Sequence, residues 1–152
     1  MAITAPLHPE NRIVAFPEPK LKGRILIVDD TFFMRMLLRT ILSGAGHTVV
    51  GEASTGREAV SMFRLFRPDV VMMDITMPQQ DGLTAMEEIL HHSAGAQVIV
   101  CTSMQFRRTA TEAIARGARD FITKPFRPET ILRAVDGALR RQRAQTASRG
   151  SI

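Results

Sequence analysis

Ile25-Leu26-Ile27-Val28-Asp29-Asp30 is an apolar run that stops on two acids. A short continuous run of this kind has the composition of a strand buried on both faces, as found inside parallel sheets. Three later stretches repeat the pattern: Val70-Val71-Met72-Met73 into Asp74, Val98-Ile99-Val100-Cys101 into Thr102, and Phe121-Ile122-Thr123 into Lys124. In a parallel sheet the carboxyl ends of all four runs open at one edge. Strand direction alone therefore brings an acid pair, an acid, a hydroxyl and a base to one site.

Helical patterns alternate with these runs. Phe33, Met34, Leu37, Leu38 and Ile41 recur at three- and four-residue spacing over 32–42, and Gly44 and Gly46 stop that helix. Thr48 to Ala53 reads as a further strand. Thr55 is placed to cap a helix carrying Ala59, Val60, Met62, Phe63 and Phe66, which Pro68 ends. Leu83, Met86, Ile89 and Leu90 mark a third helix, and Ala110, Ala113 and Ile114 a fourth. A fifth starts after Pro128, with Ile131, Leu132, Val135, Ala138 and Leu139 on one side. Five βα units in about 120 residues predict an α/β fold: a doubly wound, five-stranded parallel sheet with right-handed crossovers and helices on both faces. Ligands bind such sheets beyond the strands' carboxyl ends, where the strand order reverses.

The chain has 152 residues, 45% of them hydrophobic, enough for one well-buried core. Residues 1–22, with Pro6, Pro9, Pro17 and Pro19, are expected to be a flexible lead-in, residues 23–143 the domain, and residues 144–152 a flexible tail. No stretch reaches the length of a bilayer span and the start lacks a signal peptide's apolar segment, so a cytoplasmic monomer is expected. The single cysteine, Cys101, lies inside a strand-like run and reads as packing. The net charge of +5 is scattered, dense only at Arg140-Arg141-Gln142-Arg143, and all aromatics are Phe. That distribution argues against a nucleic-acid site.

Asp29, Asp30 and Asp74 would form a hard, oxygen-rich cluster whose carboxylates repel one another unless a cation is present. Mg²⁺, which favours a few carboxylates, waters and phosphate oxygens, is the expected occupant. Lys124 is the sole lysine from Gly23 onward, against arginine at every other basic position in that stretch. A compact ammonium and a planar guanidinium are not interchangeable, and the former suits a narrow site beside a phosphoryl group. Thr102 adds a hydroxyl that donates to an anionic oxygen, and Pro125 fixes the direction of the lysine.

Asp29-Asp30, Asp74, Met77-Pro78-Gln79-Gln80-Asp81-Gly82, Thr102 and Lys124-Pro125 together resemble the receiver domain of two-component response regulators across about residues 23–143. The resemblance implies the flavodoxin-like strand order 2-1-3-4-5. It implies that Asp74 accepts a phosphoryl group from a sensor histidine kinase. It also implies that Asp30, Asp74 and the main-chain carbonyl of Thr76 bind Mg²⁺, with Asp29 acting mostly through water. Thr102 and Lys124 would read the phosphoryl charge, Thr102 and Phe121 would be the switch pair, and Thr76 and Met104 would tune the lifetime of the adduct.

The chain resembles a stand-alone receiver, and its local wording is nearest to chemotaxis regulators of the CheY type. That implies docking on the flagellar motor switch protein through the fourth helix, fifth strand and fifth helix, made basic by Arg107, Arg108, Arg116, Arg119 and Arg127, and a phosphatase that resets the signal. A phosphorelay intermediate or a regulator with a non-motor partner is the alternative. Haloacid dehalogenase-type phosphatases share much of this chemistry but need a second Asp two residues after the nucleophile. Thr76 stands there, so a conventional enzyme is not expected.

Overall fold

The computed structural model describes residues 21–150. The expectation for the lead-in falls on residues 1–20, outside the described residues, apart from Leu21 and Lys22. Five parallel strands are present: β1 (Arg24–Val28), β2 (Thr48–Ala53), β3 (Val70–Asp74), β4 (Gln97–Ser103) and β5 (Asp120–Lys124), in the order β2-β1-β3-β4-β5. The helices are α1 (Phe32–Gly44), α2 (Gly56–Phe66), α3 (Asp81–His92), α4 (Arg107–Ala115) and α5 (Pro128–Gly150). Short 3-10 turns at Pro78–Gln80 and Met104–Phe106 precede α3 and α4. The expected fold class and strand order are those observed.

The apolar runs feed two cores because successive strand side chains alternate faces. Leu26 and Val28, Val71 and Met73, and Val98 and Val100 pack beneath α2, α3 and α4, with Ala59, Leu83, Met86, Ile89, Ala110 and Ala113. Ile25 and Ile27, Val70 and Met72, and Ile99 and Cys101 pack beneath α1 and α5, with Leu38, Leu42, Ile131, Val135 and Leu139. Cys101 is buried there, and burial pushes its thiol well above the usual range, so it serves as a packing residue.

Local signals account for the helix ends. Thr55 Oγ1 accepts from the Glu58 N–H at 3.1 Å, while Glu58 reaches back to the Ser54 N–H at 2.8 Å. α2 stops at Phe66 because Arg67 turns left-handed, φ 46°, ahead of Pro68.

Three expectations are corrected. Residues 144–150, read as a tail, continue α5. The stretch is rich in alanine, glutamine and arginine, which propagate a helix, and the Thr146 hydroxyl bonds the Gln142 carbonyl at 3.0 Å. Neighbouring turns of the same helix are tied down, with Arg143 donating to the Lys22 carbonyl at 2.5 Å. Phe33, placed on the buried stripe of α1 by spacing, is 60% exposed, and Phe32 beside it is 67% exposed. Ile114 on α4 is likewise exposed. Ile114 lies one residue from the end of α4, and Phe33 lies at the margin of the α1 stripe, about 140° round the helix from buried Leu38.

Candidate functional site

The strand order reverses between β1 and β3, so Asp29, just past β1, and Asp74, at the end of β3, become neighbours. Both are buried, 1% and 2% exposed, while Asp30 is exposed. One oxygen from each of the three lies within 4.8 Å of the others. Lys124 stands two strands from Asp74 and three from Asp29. Two strand spacings are roughly 10 Å, a gap that only a long side chain bridges. Its Nζ reaches Asp29 Oδ2 at 3.2 Å and Asp74 Oδ2 at 3.3 Å. The Lys124-Pro125 peptide is cis.

The remaining oxygens of the two buried acids are held by the same local device. Asp29 Oδ1 accepts from the Thr31 N–H at 2.8 Å, and Asp74 Oδ1 from the Thr76 N–H at 2.7 Å. These are Asx turns, which an Asp makes with the backbone two residues on. Asp-x-Thr occurs at both strand ends, and that repeat was readable in the sequence. The second bond to Asp74 Oδ1, from the Thr76 hydroxyl at 2.6 Å, was not foreseen.

Burial raises the Asp29 carboxyl above its ordinary value; the Thr31 N–H opposes this, the Asp74 charge adds to it, and Lys124 opposes it. Burial also works against the Lys124 charge, but Asp74 and Asp29 more than offset it, so the ammonium is held above its usual range. Three carboxylates and one ammonium, −3 and +1, leave a formal charge of −2. An all-oxygen donor set with that charge fits a hard divalent cation such as Mg²⁺.

Thr102 is fully buried, and its hydroxyl is engaged by main-chain carbonyls, Ser103 at 3.2 Å and Phe106 at 3.5 Å, rather than by Asp74. The Phe121 ring is half-buried against the core beneath α2–α4. Met104 is 61% exposed on the turn before α4.

With this geometry in place, comparison with known proteins is decisive. The profile of the response regulator receiver domain matches residues 25–136. The chain belongs to the response regulator receiver family. The chemotaxis protein CheY of Thermotoga maritima is 48% identical over 113 residues, 74% of this chain and 94% of that protein. CheY of Bacillus subtilis is 47% identical over 116 residues, 76% of this chain and 97% of that protein. Among solved structures, a receiver domain protein from Clostridium thermocellum superposes with TM-score 0.77 at 26% identity, covering 81% of this chain and 98% of that one. A CheX–CheY–BeF3–Mg complex from Borrelia burgdorferi superposes with TM-score 0.69 at 32% identity, covering 74% and 85%. This receiver therefore takes part in two-component signalling. Among the described residues, no helix is long and apolar enough to cross a membrane.

Proposed function

We propose that this receiver takes a phosphoryl group from the phosphohistidine of a sensor kinase onto Asp74, with Mg²⁺ held by Asp30, Asp74 and the Thr76 carbonyl and steadied by Asp29. The observation that carries the reading is the single ammonium of Lys124 bridging two buried carboxylates at the sheet's switch point. A carboxylate oxygen of Asp74 attacks phosphorus, the O–P bond forms as the N–P bond breaks, and the imidazole leaves with the electron pair. The bound cation supplies charge neutralisation on the transferring oxygens. Lys124, already beside Asp74, pairs with a phosphoryl oxygen. Thr102 gives up its carbonyl partners to donate to another, and Phe121 packs into the space behind it. Thr76 and Met104 flank the adduct and tune its lifetime.

The two CheY relatives favour a chemotaxis output, and the Borrelia complex pairs its CheY with CheX, beryllofluoride and magnesium. In this chain Arg107, Arg108, Arg119 and Arg127 are exposed around α4, β5 and α5. Arg116 is paired with Glu87 and Glu112. The first four are thus the ones open to an acidic segment of a motor switch protein or a phosphatase. Residues 23–143 carry this switch, and it acts in the cytoplasm.

The direct test is incubation with acetyl phosphate and Mg²⁺, with one acid-stable, base-labile phosphoryl adduct per chain as the expected product. Failure to form it in Mg²⁺, or equal uptake in excess chelator, overturns the reading.

The raised Asp29 carboxyl adds a pH dependence. A carboxyl that protonates more readily in the fold than in the unfolded chain favours the fold at low pH, so its contribution falls as pH rises from its ordinary value through its raised one. A divalent cation replaces the proton over the same window. The Mg²⁺-induced rise in melting temperature is therefore expected to be several-fold larger near pH ~7.5 than near pH ~5. A rise independent of pH would contradict the assignment of Asp29.

A further inference from the structure

Asp81 opens α3, one residue after the turn Pro78–Gln80. That turn holds Gln79 in the left-handed region, φ 63° and ψ 26°, a conformation that non-glycine residues keep only when their surroundings hold it. The carboxylate of Asp81 supplies a hold from the next residue but one. Its Oδ2 accepts the N–H of Gly56 at 2.5 Å. Gly56 is the first residue of α2, and its N–H is one of the four donors that a helix start leaves without an intrahelical partner. The carboxylate thus lies at the positive ends of two helices, α2 and its own α3, both of which favour a negative charge.

The contact is close on both sides. A Cβ on Gly56 would stand 2.6 Å from the main-chain oxygen of Asp81, and a Cβ on Gly82 would stand 2.0 Å from the carbonyl oxygen of Asp74. Asp81 is therefore held against the start of α2, and the next residue, Gly82, against the end of β3. At the other end of the β2–α2 turn, the Ala53 carbonyl accepts the Asp29 N–H at 3.0 Å. One side-chain bond ties the segment carrying Asp74 and Thr76 to the turn on which the Asp29 backbone rests.

We propose that Asp81 is a positioning residue for the metal and phosphoryl site: its bond to Gly56 fixes the β3–α3 segment, and with it the Asp74 carboxylate and Thr76 carbonyl, in the arrangement that accepts the cation. Asp81 does not touch the cation. The inference rests on the Mg²⁺ reading above.

Calorimetric titration of Mg²⁺ into the unphosphorylated full chain separates the two. Wild type is expected to bind one Mg²⁺. Asp81→Ala is expected to bind it about tenfold more weakly, the low end of what outer partners of metal ligands contribute. Asp81→Asn, which keeps an acceptor oxygen for Gly56 but not the charge, is expected to stay within about twofold of wild type. A purely structural role would lower thermal stability without moving the Mg²⁺ affinity of the folded fraction. Unchanged affinity in Asp81→Ala, or equal weakening in both variants, overturns the inference and leaves the metal reading standing. Absence of Mg²⁺ binding by wild type overturns both. If Asp81→Ala does not fold, Gly56→Ala, which crowds the same contact from the other side, is expected to weaken Mg²⁺ binding likewise; wild-type affinity in that variant overturns the inference.

Discussion

Asp74→Asn is expected to abolish the acid-stable phosphoryl adduct, lowering uptake from acetyl phosphate by at least about 10³-fold, the scale seen when a nucleophile is removed. The amide that replaces the carboxylate has no oxygen basic enough to attack phosphorus. It is also expected to weaken the proposed cation site, because one of the three converging carboxylates is lost. The fold is expected to survive, for a physical reason. Asp74 and Asp29 are buried like charges that share one ammonium, and the Asp74 charge helps to raise the Asp29 carboxyl. Neutralising one acid relieves that repulsion, and the Asn oxygen still accepts from the Thr76 N–H. Intact-mass analysis of the adduct and a urea transition without Mg²⁺ check the two halves. Phosphoryl uptake at the wild-type rate would remove Asp74 from its assigned role, and a collapsed transition would show that its charge is structural.

Gly82→Ala is expected to be the most damaging small substitution at the site, costing about 3 kcal/mol or more of stability. The new Cβ would sit 2.0 Å from the Asp74 carbonyl oxygen and 2.9 Å from the Ile75 Cα, both of them backbone atoms that no rotamer change can move aside. α3 would have to lift off the end of β3, displacing the Asp74 carboxylate. For a chain of this size that cost is a fall of roughly 6–12 °C in melting temperature. Gly44→Ala is the control. A Cβ there meets nothing within 4 Å at the end of α1, so it is expected to be neutral or stabilising by up to about 1 kcal/mol. Similar melting temperatures for the two variants would refute the close-approach argument.

The polar strand ends were legible because strand direction is a one-dimensional property. Once Ile25–Val28, Val70–Met73, Val98–Cys101 and Phe121–Thr123 are read as parallel strands, the residues that follow them share an edge. The Thr55 cap and the Asx turns after Asp29 and Asp74 were equally local, each complete within four residues. The exposure of Phe33 was not legible, since apolar spacing marks a stripe but not which of its margins the sheet covers. The bond from Gly56 to Asp81 crosses 25 positions, and nothing near either residue announces the other. The left-handed Gln79 gives no sign in sequence, because the conformation is imposed by its surroundings.

The sequence by itself determined the α/β alternation, the buried strands, the acids, hydroxyl and lone lysine at their ends, and so the chemistry open to the site. These follow from hydrophobic period and residue type, which act within a few positions. Tertiary structure alone decided that Lys124 spans β4 to bridge Asp29 and Asp74, that the Thr102 hydroxyl faces main-chain carbonyls, and that Gly82 and Asp81 lock α3 against β3 and α2. Those features depend on distances between segments far apart in the chain, which exist only once the sheet has assembled and its helices have docked.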